Sequence, residues 1–159
     1  MSEVSSILDN SVLLWSLLSC LFAQFFKIIF NFFSTGKIRF GIMFETGGMP
    51  SSHSALITGA TSGIGFKLGF DNPIFALAIA VSLIVMYDAS GIRKSAGIQA
   101  AEINKLSIKL DPKSEVNLKE TLGHTKFEVI VGSLLGPLIT LPGIVFIGSP
   151  LKIIDLIIN

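Results

Sequence analysis

The chain has 159 residues, of which 50% are hydrophobic and 14% charged, with a formal net charge of +1 and a mean hydropathy of +0.72. That balance excludes an ordinary soluble domain and points to a small integral membrane protein forming a single domain over 1–159. The one cysteine, Cys20, excludes a disulfide framework and a cysteine-bound metal.

Residues 12–33, VLLWSLLSCLFAQFFKIIFNFF, are long enough to cross a bilayer core, which needs about 20 apolar residues. The segment is too long and too polar at its end for a signal peptide, and no small-residue cleavage site follows it. Its polar interruptions, Gln24, Lys27 and Asn31, recur every three or four residues and form one stripe on a helix face. A lysine inside a span is costly unless it faces the protein interior or water, which makes Lys27 a functional candidate.

Residues 54–69 are a weaker span, almost uncharged, in which Gly59 and Gly63 have the spacing of close helix packing. Within it TGATSGIG, 58–65, resembles the cofactor loop of short-chain dehydrogenases, with Asp88 at about the distance of a ribose-binding acid. That loop needs a strand before it. Here MPSSHSALI precedes it, and Gly91 stands four residues after Tyr87, where those enzymes carry a catalytic lysine.

Residues 73–88 and 127–148 complete four expected crossings, the last containing a second packing pair, Gly132 and Gly136. Between them Ile92, Ala96, Gln99, Ile103, Leu106 and Leu110 recur at helical spacing, predicting an amphipathic helix over 91–110 that lies against the membrane or the bundle. Asp111-Pro112 ends it. Residues 113–122 read as a soluble linker, and the tail 151–159 is too short to span. The expected fold is therefore an all-α integral membrane bundle of about four transmembrane helices plus an amphipathic helix.

With four crossings, the loops 34–53 and 89–126 share one side. They carry nine of the twelve Lys and Arg residues, against Lys67 and Lys152 on the other side. The positive-inside rule places these loops in the cytoplasm or its organellar equivalent. Acidic residues interleave with the bases, so no nucleic-acid patch forms and membrane lipid is the expected partner.

The chemistry lies in those loops. In FETGGMPSSHSAL, 44–56, Ser51 and Ser52 are preferred helix caps, and the free amides of a first turn attract an anion. Gly47 and Gly48 let the backbone approach a ligand. The only other histidine besides His53 is His124, in LGHTKFEV, 122–129. Glu128 lies four residues on and shares its face if the segment is helical, where a carboxylate fixes the imidazole tautomer and improves the other nitrogen as nucleophile or base. Two histidines with phosphate-binding amides and bases suggest phosphoryl transfer with neither metal nor cofactor. One imidazole attacks phosphorus and the other protonates the leaving oxygen. Candidates to stabilise the equatorial oxygens are Lys27, Lys37, Arg93, Lys94 and Lys119.

Three blocks in this order, GGMPSSHSA, MYDASGIRKSAGIQAAEIN and LKETLGHTKFEV, resemble the divergent branch of the type 2 phosphatidic acid phosphatase superfamily, relatives of the vanadium haloperoxidases. The resemblance covers about residues 22–136 and implies a helical membrane protein with a phosphatase-like site. The superfamily motif PSGH is matched by Pro50, Ser51, Ser52 and His53, whose histidine is the general acid. The motif SRxxxxxHxxxD is matched by His124, the nucleophile, and by Glu128, in place of aspartate, as its orienting partner. The arginine of that motif falls at Leu118, with Lys119 one place off. In the first motif, KxxxxxxRP, Lys27 is followed by Ser34-Thr35 where Arg-Pro is expected. These departures touch function, because arginine's planar fork suits a phosphate in a way lysine's point charge does not. The resemblance implies hydrolysis of a lipid phosphate or pyrophosphate through a phosphohistidine. The alternative is an inactive relative that binds a phosphorylated lipid or scaffolds a complex.

Overall fold

The computed structural model describes residues 6–7, 9–45, 47–113, 115–149 and 157, so nearly all of the tail expected not to span lies outside the described residues. Among the described residues, the long α-helices are α1 (Ser11–Thr35), α2 (Ser52–Leu68), α3 (Pro73–Ser90), α4 (Ile92–Leu110) and α5 (Lys126–Pro142). A 3₁₀ turn occupies Phe40–Phe44, and a π-helical turn, Gly143–Ile147, extends α5. Among the described residues there is no strand. Local chemistry sets the ends. Asn10 caps α1 by accepting from the Leu13 amide, Gly36 closes it in the left-handed conformation, and Asn72 with Pro73 opens α3.

Among the described residues, three helical stretches are long and apolar enough to cross a membrane: Ser11–Thr35, Pro73–Leu110 and Lys126–Ile147. The fourth expected crossing, α2, has 17 residues. At 1.5 Å per residue it is about 26 Å long, just short of a hydrocarbon core of about 30 Å. It runs through the centre of the bundle, packed on α1, α3 and α5. Its buried residues are small, among them Ser54, Ala55, Gly59, Thr61 and Gly63. In lipid, helices associate through close backbone approach and interhelical hydrogen bonds, so the most enclosed helix is the least apolar of the four expected to cross. The bundle is accordingly small and polar inside and apolar outside. The Ser19 hydroxyl donates to the Ser16 carbonyl (2.7 Å) and is 3.0 Å from that of Ala55, while Leu21, Phe25, Leu83 and Leu138 are exposed. The dehydrogenase-like string 58–65 lies entirely within α2 and serves this packing, with Gly59 against Thr140 and Ser19.

The amphipathic helix forms, but with a different face on the protein. Gly97, Ala100 and Asn104 are buried, whereas the predicted stripe of Ile92, Ile103, Leu106 and Leu110 stays exposed. The buried face meets the segment that reads as a linker. Asn104 Nδ2 donates to the Leu118 carbonyl (2.9 Å) and to Glu120 Oε1 (2.8 Å), and the Leu118 amide donates to Asn104 Oδ1 (2.8 Å). A side-chain amide offers both donor and acceptor, so one residue pairs an extended backbone that has no strand beside it. Residues 118–122 are thereby laid back along α4 and deliver His124 to the end of α3, where its amide donates to the Ala89 carbonyl (2.8 Å).

Candidate functional site

His124 precedes α5 rather than lying on it: Thr125 is the N-cap and Lys126 the first helical residue. Its closeness to Glu128 therefore comes from a capping box, not from a shared helical face. The Thr125 hydroxyl accepts from the Glu128 amide (3.2 Å), and Glu128 Oε2 accepts from the Thr125 amide (2.8 Å). The same oxygen lies 3.4 Å from His124 Nδ1. His124 is only 3% exposed, and neither ring nitrogen has a hydrogen-bond partner among the described residues. A buried polar ring without partners is an unmet demand for a ligand or water. Burial and the nearby Lys27 cation push the His124 imidazole below its ordinary pKa, and the Glu128 carboxylate opposes them. The balance favours the neutral ring.

His53 stands at the start of α2, after the cis Met49–Pro50 peptide and the Ser51 cap. Ser51 is fully buried, accepts from the Ser54 amide (3.3 Å) and hydroxyl (2.9 Å), and donates its own amide to the Glu128 carbonyl (3.1 Å). Ser52 is buried beside it. One peptide hydrogen bond therefore ties the start of α2 to the start of α5, and with it the two histidine segments. His53 is exposed on one side and faces, with His124, a cavity of about 20 Å³ completed by Val85, Asp88, Ala89 and Arg93. In this closed form the cavity has room for about one water. The Arg93 Nε donates to Asp88 Oδ2 across the break between α3 and α4, so the cavity holds an arginine that the spacing motif lacks.

Lys27, 1% exposed in the middle of α1, donates from Nζ to the Glu45 carbonyl (3.0 Å). Its charge acts on both His53 and His124 as well as on Glu128. The intramembrane lysine therefore turns inward, toward the same end of the bundle. Beyond His124 an open cleft of about 490 Å³ is lined by Gly47, Gly48, Lys94, Glu120, Thr125 and Glu128. Gly123, at φ 76°, makes this crossing possible, because a Cβ there would collide with the backbone of Arg93 and Lys94. Lys94 thus faces the cleft, not the histidine cavity. Lys37 and Lys119 are exposed and line neither space.

Asp88, which closes the third expected span, orients Arg93 from five residues away across Gly91. One member of the constellation is not singled out by sequence. Glu45 serves Lys27 through a backbone carbonyl, which any residue type could supply, so no sequence signal exists.

The chain matches the family described as Divergent PAP2 family over residues 8–139. It is 40% identical over 149 residues to the uncharacterized membrane protein YuiD of Bacillus subtilis (strain 168), covering 85% of this chain and 94% of that protein. No solved structure matches.

Proposed function

We propose, since the chain belongs to the Divergent PAP2 family, that it is a metal-independent membrane phosphatase acting on a lipid phosphate or pyrophosphate through a phosphohistidine. The observation that carries this reading is the pairing of a buried, partnerless His124 with His53 across one cavity, with the Glu128 carboxylate against His124 Nδ1. With Nδ1 facing the Glu128 carboxylate at 3.4 Å, Nε2 is the attacking nitrogen. It forms a bond to phosphorus as the bond to the leaving oxygen breaks, and His53 donates the proton that oxygen needs. His53, now neutral and open to solvent, takes a proton from a water that attacks the phosphohistidine. Inorganic phosphate leaves and His124 is restored. Lys27 and Arg93 offset the charge on the equatorial oxygens. The excess of Lys and Arg in these loops supports a cytoplasmic side for the site.

A second reading is a relative that binds a phosphorylated lipid without turnover. It is favoured by Leu118 and Ser34 at the motif arginine positions and by the one-water size of the closed cavity.

The test is phosphate release by the purified, detergent-solubilised chain in EDTA, against a panel of lipid phosphates and pyrophosphates. Release accompanied by an acid-labile, base-stable phosphoryl adduct is expected. Folded protein that releases nothing from any substrate would establish the binding reading. Lys27→Met, which removes the buried cation but keeps the apolar stem, is expected to lower the rate by about 10²-fold while the protein remains folded. Unchanged turnover in that variant would remove Lys27 from the site.

A further inference from the structure

Helix α3 packs along α2 but barely touches α5. The gap is a groove of about 340 Å³ with α2 as its floor, Ile79, Leu83 and Met86 on one wall, and Ser133 and Pro137 on the other. Ile79 and Leu83 are exposed within an apolar span, so the mouth opens sideways toward hydrocarbon. The wall also carries hydroxyls, yet each donates inside the protein. Thr58 bonds the Ser54 carbonyl (2.8 Å), Ser62 that of Gly59 (2.9 Å) and Ser133 that of Ile130 (2.8 Å). Thr61 and Ser82 pair with each other at 2.7 Å, and Ser82 also lies 2.9 Å from the Ala78 carbonyl. A polar ligand would find no uncommitted hydroxyl donor along the groove. A hydrocarbon chain needs none.

The two ends of the groove differ. Phe70 and Phe75, edge to face at 5.1 Å, line one end. From Phe75 to Met86 the α3 wall runs about 16 Å. The Met86 end points toward the histidine cavity: the two share no lining residue, but α2 and α3 line both, and Val85 of the cavity is the chain neighbour of Met86 of the groove. On α3, Met86 is followed within one turn by Asp88 and Ala89. On α2, Thr58 lies about 7.5 Å along the helix from His53. Just before α5, His124 completes the cavity.

We propose that this groove holds the hydrocarbon chain of the lipid whose phosphate occupies the histidine cavity, the substrate entering sideways from the bilayer between α3 and α5. The assignment rests on the phosphate-site reading above and adds to it where the hydrocarbon chain lies, against α2 between α3 and α5, a contact that a soluble phosphate ester cannot make.

The experiment uses the full chain in lipid nanodiscs and a dodecyl phosphate bearing a diazirine at its terminal carbon. Irradiation is expected to place adducts on residues 75–86 and 133–137. Excess inorganic phosphate should reduce them at least fivefold, and so should Ser133→Trp or Ile79→Trp, which fill the groove from opposite walls. Adducts scattered over the exposed Leu17, Leu21 and Phe25 of α1, undiminished by either tryptophan, would overturn the proposal. So would groove adducts that inorganic phosphate leaves untouched, since chain and headgroup would then not belong to one site. Phosphate-sensitive groove adducts in a protein that releases no phosphate would sustain the groove and remove only the turnover.

Discussion

His124→Ala is expected to lower phosphate release at least about 10³-fold, and to abolish the phosphoryl adduct, in protein that still elutes as a folded species. The magnitude follows from the role: removing a nucleophile removes the covalent route itself, whereas a charge that only assists contributes about 10²–10³. His53→Ala should separate from it. The general acid and base is lost while the nucleophile stays, so a substrate with a good leaving group still phosphorylates His124, and the adduct accumulates because water is no longer activated. The pH profile carries a second signature. Protonation blocks the lone pair of His124, and burial with the Lys27 cation pushes its pKa below the ordinary imidazole value of about 6.5. On the acid side, kcat/KM should therefore persist below that value and fall as pH drops through the lowered pKa, while on the alkaline side it falls as His53, the general acid, loses its proton. In Glu128→Gln the anion that favours the imidazolium is gone, so the acid limb moves to still lower pH as the rate declines. An acid limb that moves upward would contradict the placement of Glu128 against His124.

Gly136→Ala is expected to cost at least about 3 kcal/mol, or roughly 6–12 °C in Tm. A Cβ at this position would run into the Ala55 carbonyl oxygen and the Thr58 hydroxyl and lie 2.6 Å from the Gly59 nitrogen. These are backbone and near-backbone atoms of the central helix, which cannot swing aside as a long side chain would. The helices must separate, and the backbone hydrogen bond from the Ser51 amide to the Glu128 carbonyl, which joins the histidine segments, lengthens with them. Thermal unfolding followed by Trp15 fluorescence measures the effect. Gly41→Ala, at a position with nothing within 4 Å of the added carbon, is the control and should leave Tm in place.

Hydropathy located what lipid touches and was weaker on what helices touch. The outer helices carry large apolar side chains toward the bilayer, so 12–33 and 73–88 match α1 and α3 to within two residues at each end. The span 127–148 splits into α5 and its π turn. The central helix scores poorly because close packing selects Gly, Ser and Thr, the residues that hydropathy penalises. Chemistry close in sequence was legible: His124 with Glu128, and the Pro50–His53 tetrad. The segment 118–122 was not, because its fixation depends on one asparagine fourteen residues before Leu118. Among the candidate bases, charge alone does not separate Lys94, Lys37 and Lys119 from Arg93. The separation comes from the break at Gly91, which brings Arg93 back onto Asp88.

The capping box at α5 explains a departure that the motif comparison leaves bare. Where the superfamily pattern has aspartate, this chain has Glu128, and Glu128 is the third residue of a helix whose cap is Thr125. A carboxylate at that position must reach back over a full turn to the cap's own amide, a span suited to glutamate or glutamine. One side chain thus answers to two clients, the first turn of α5 and the ring of His124. The extra methylene is a requirement of the helix start, so the substitution fits the local scaffold.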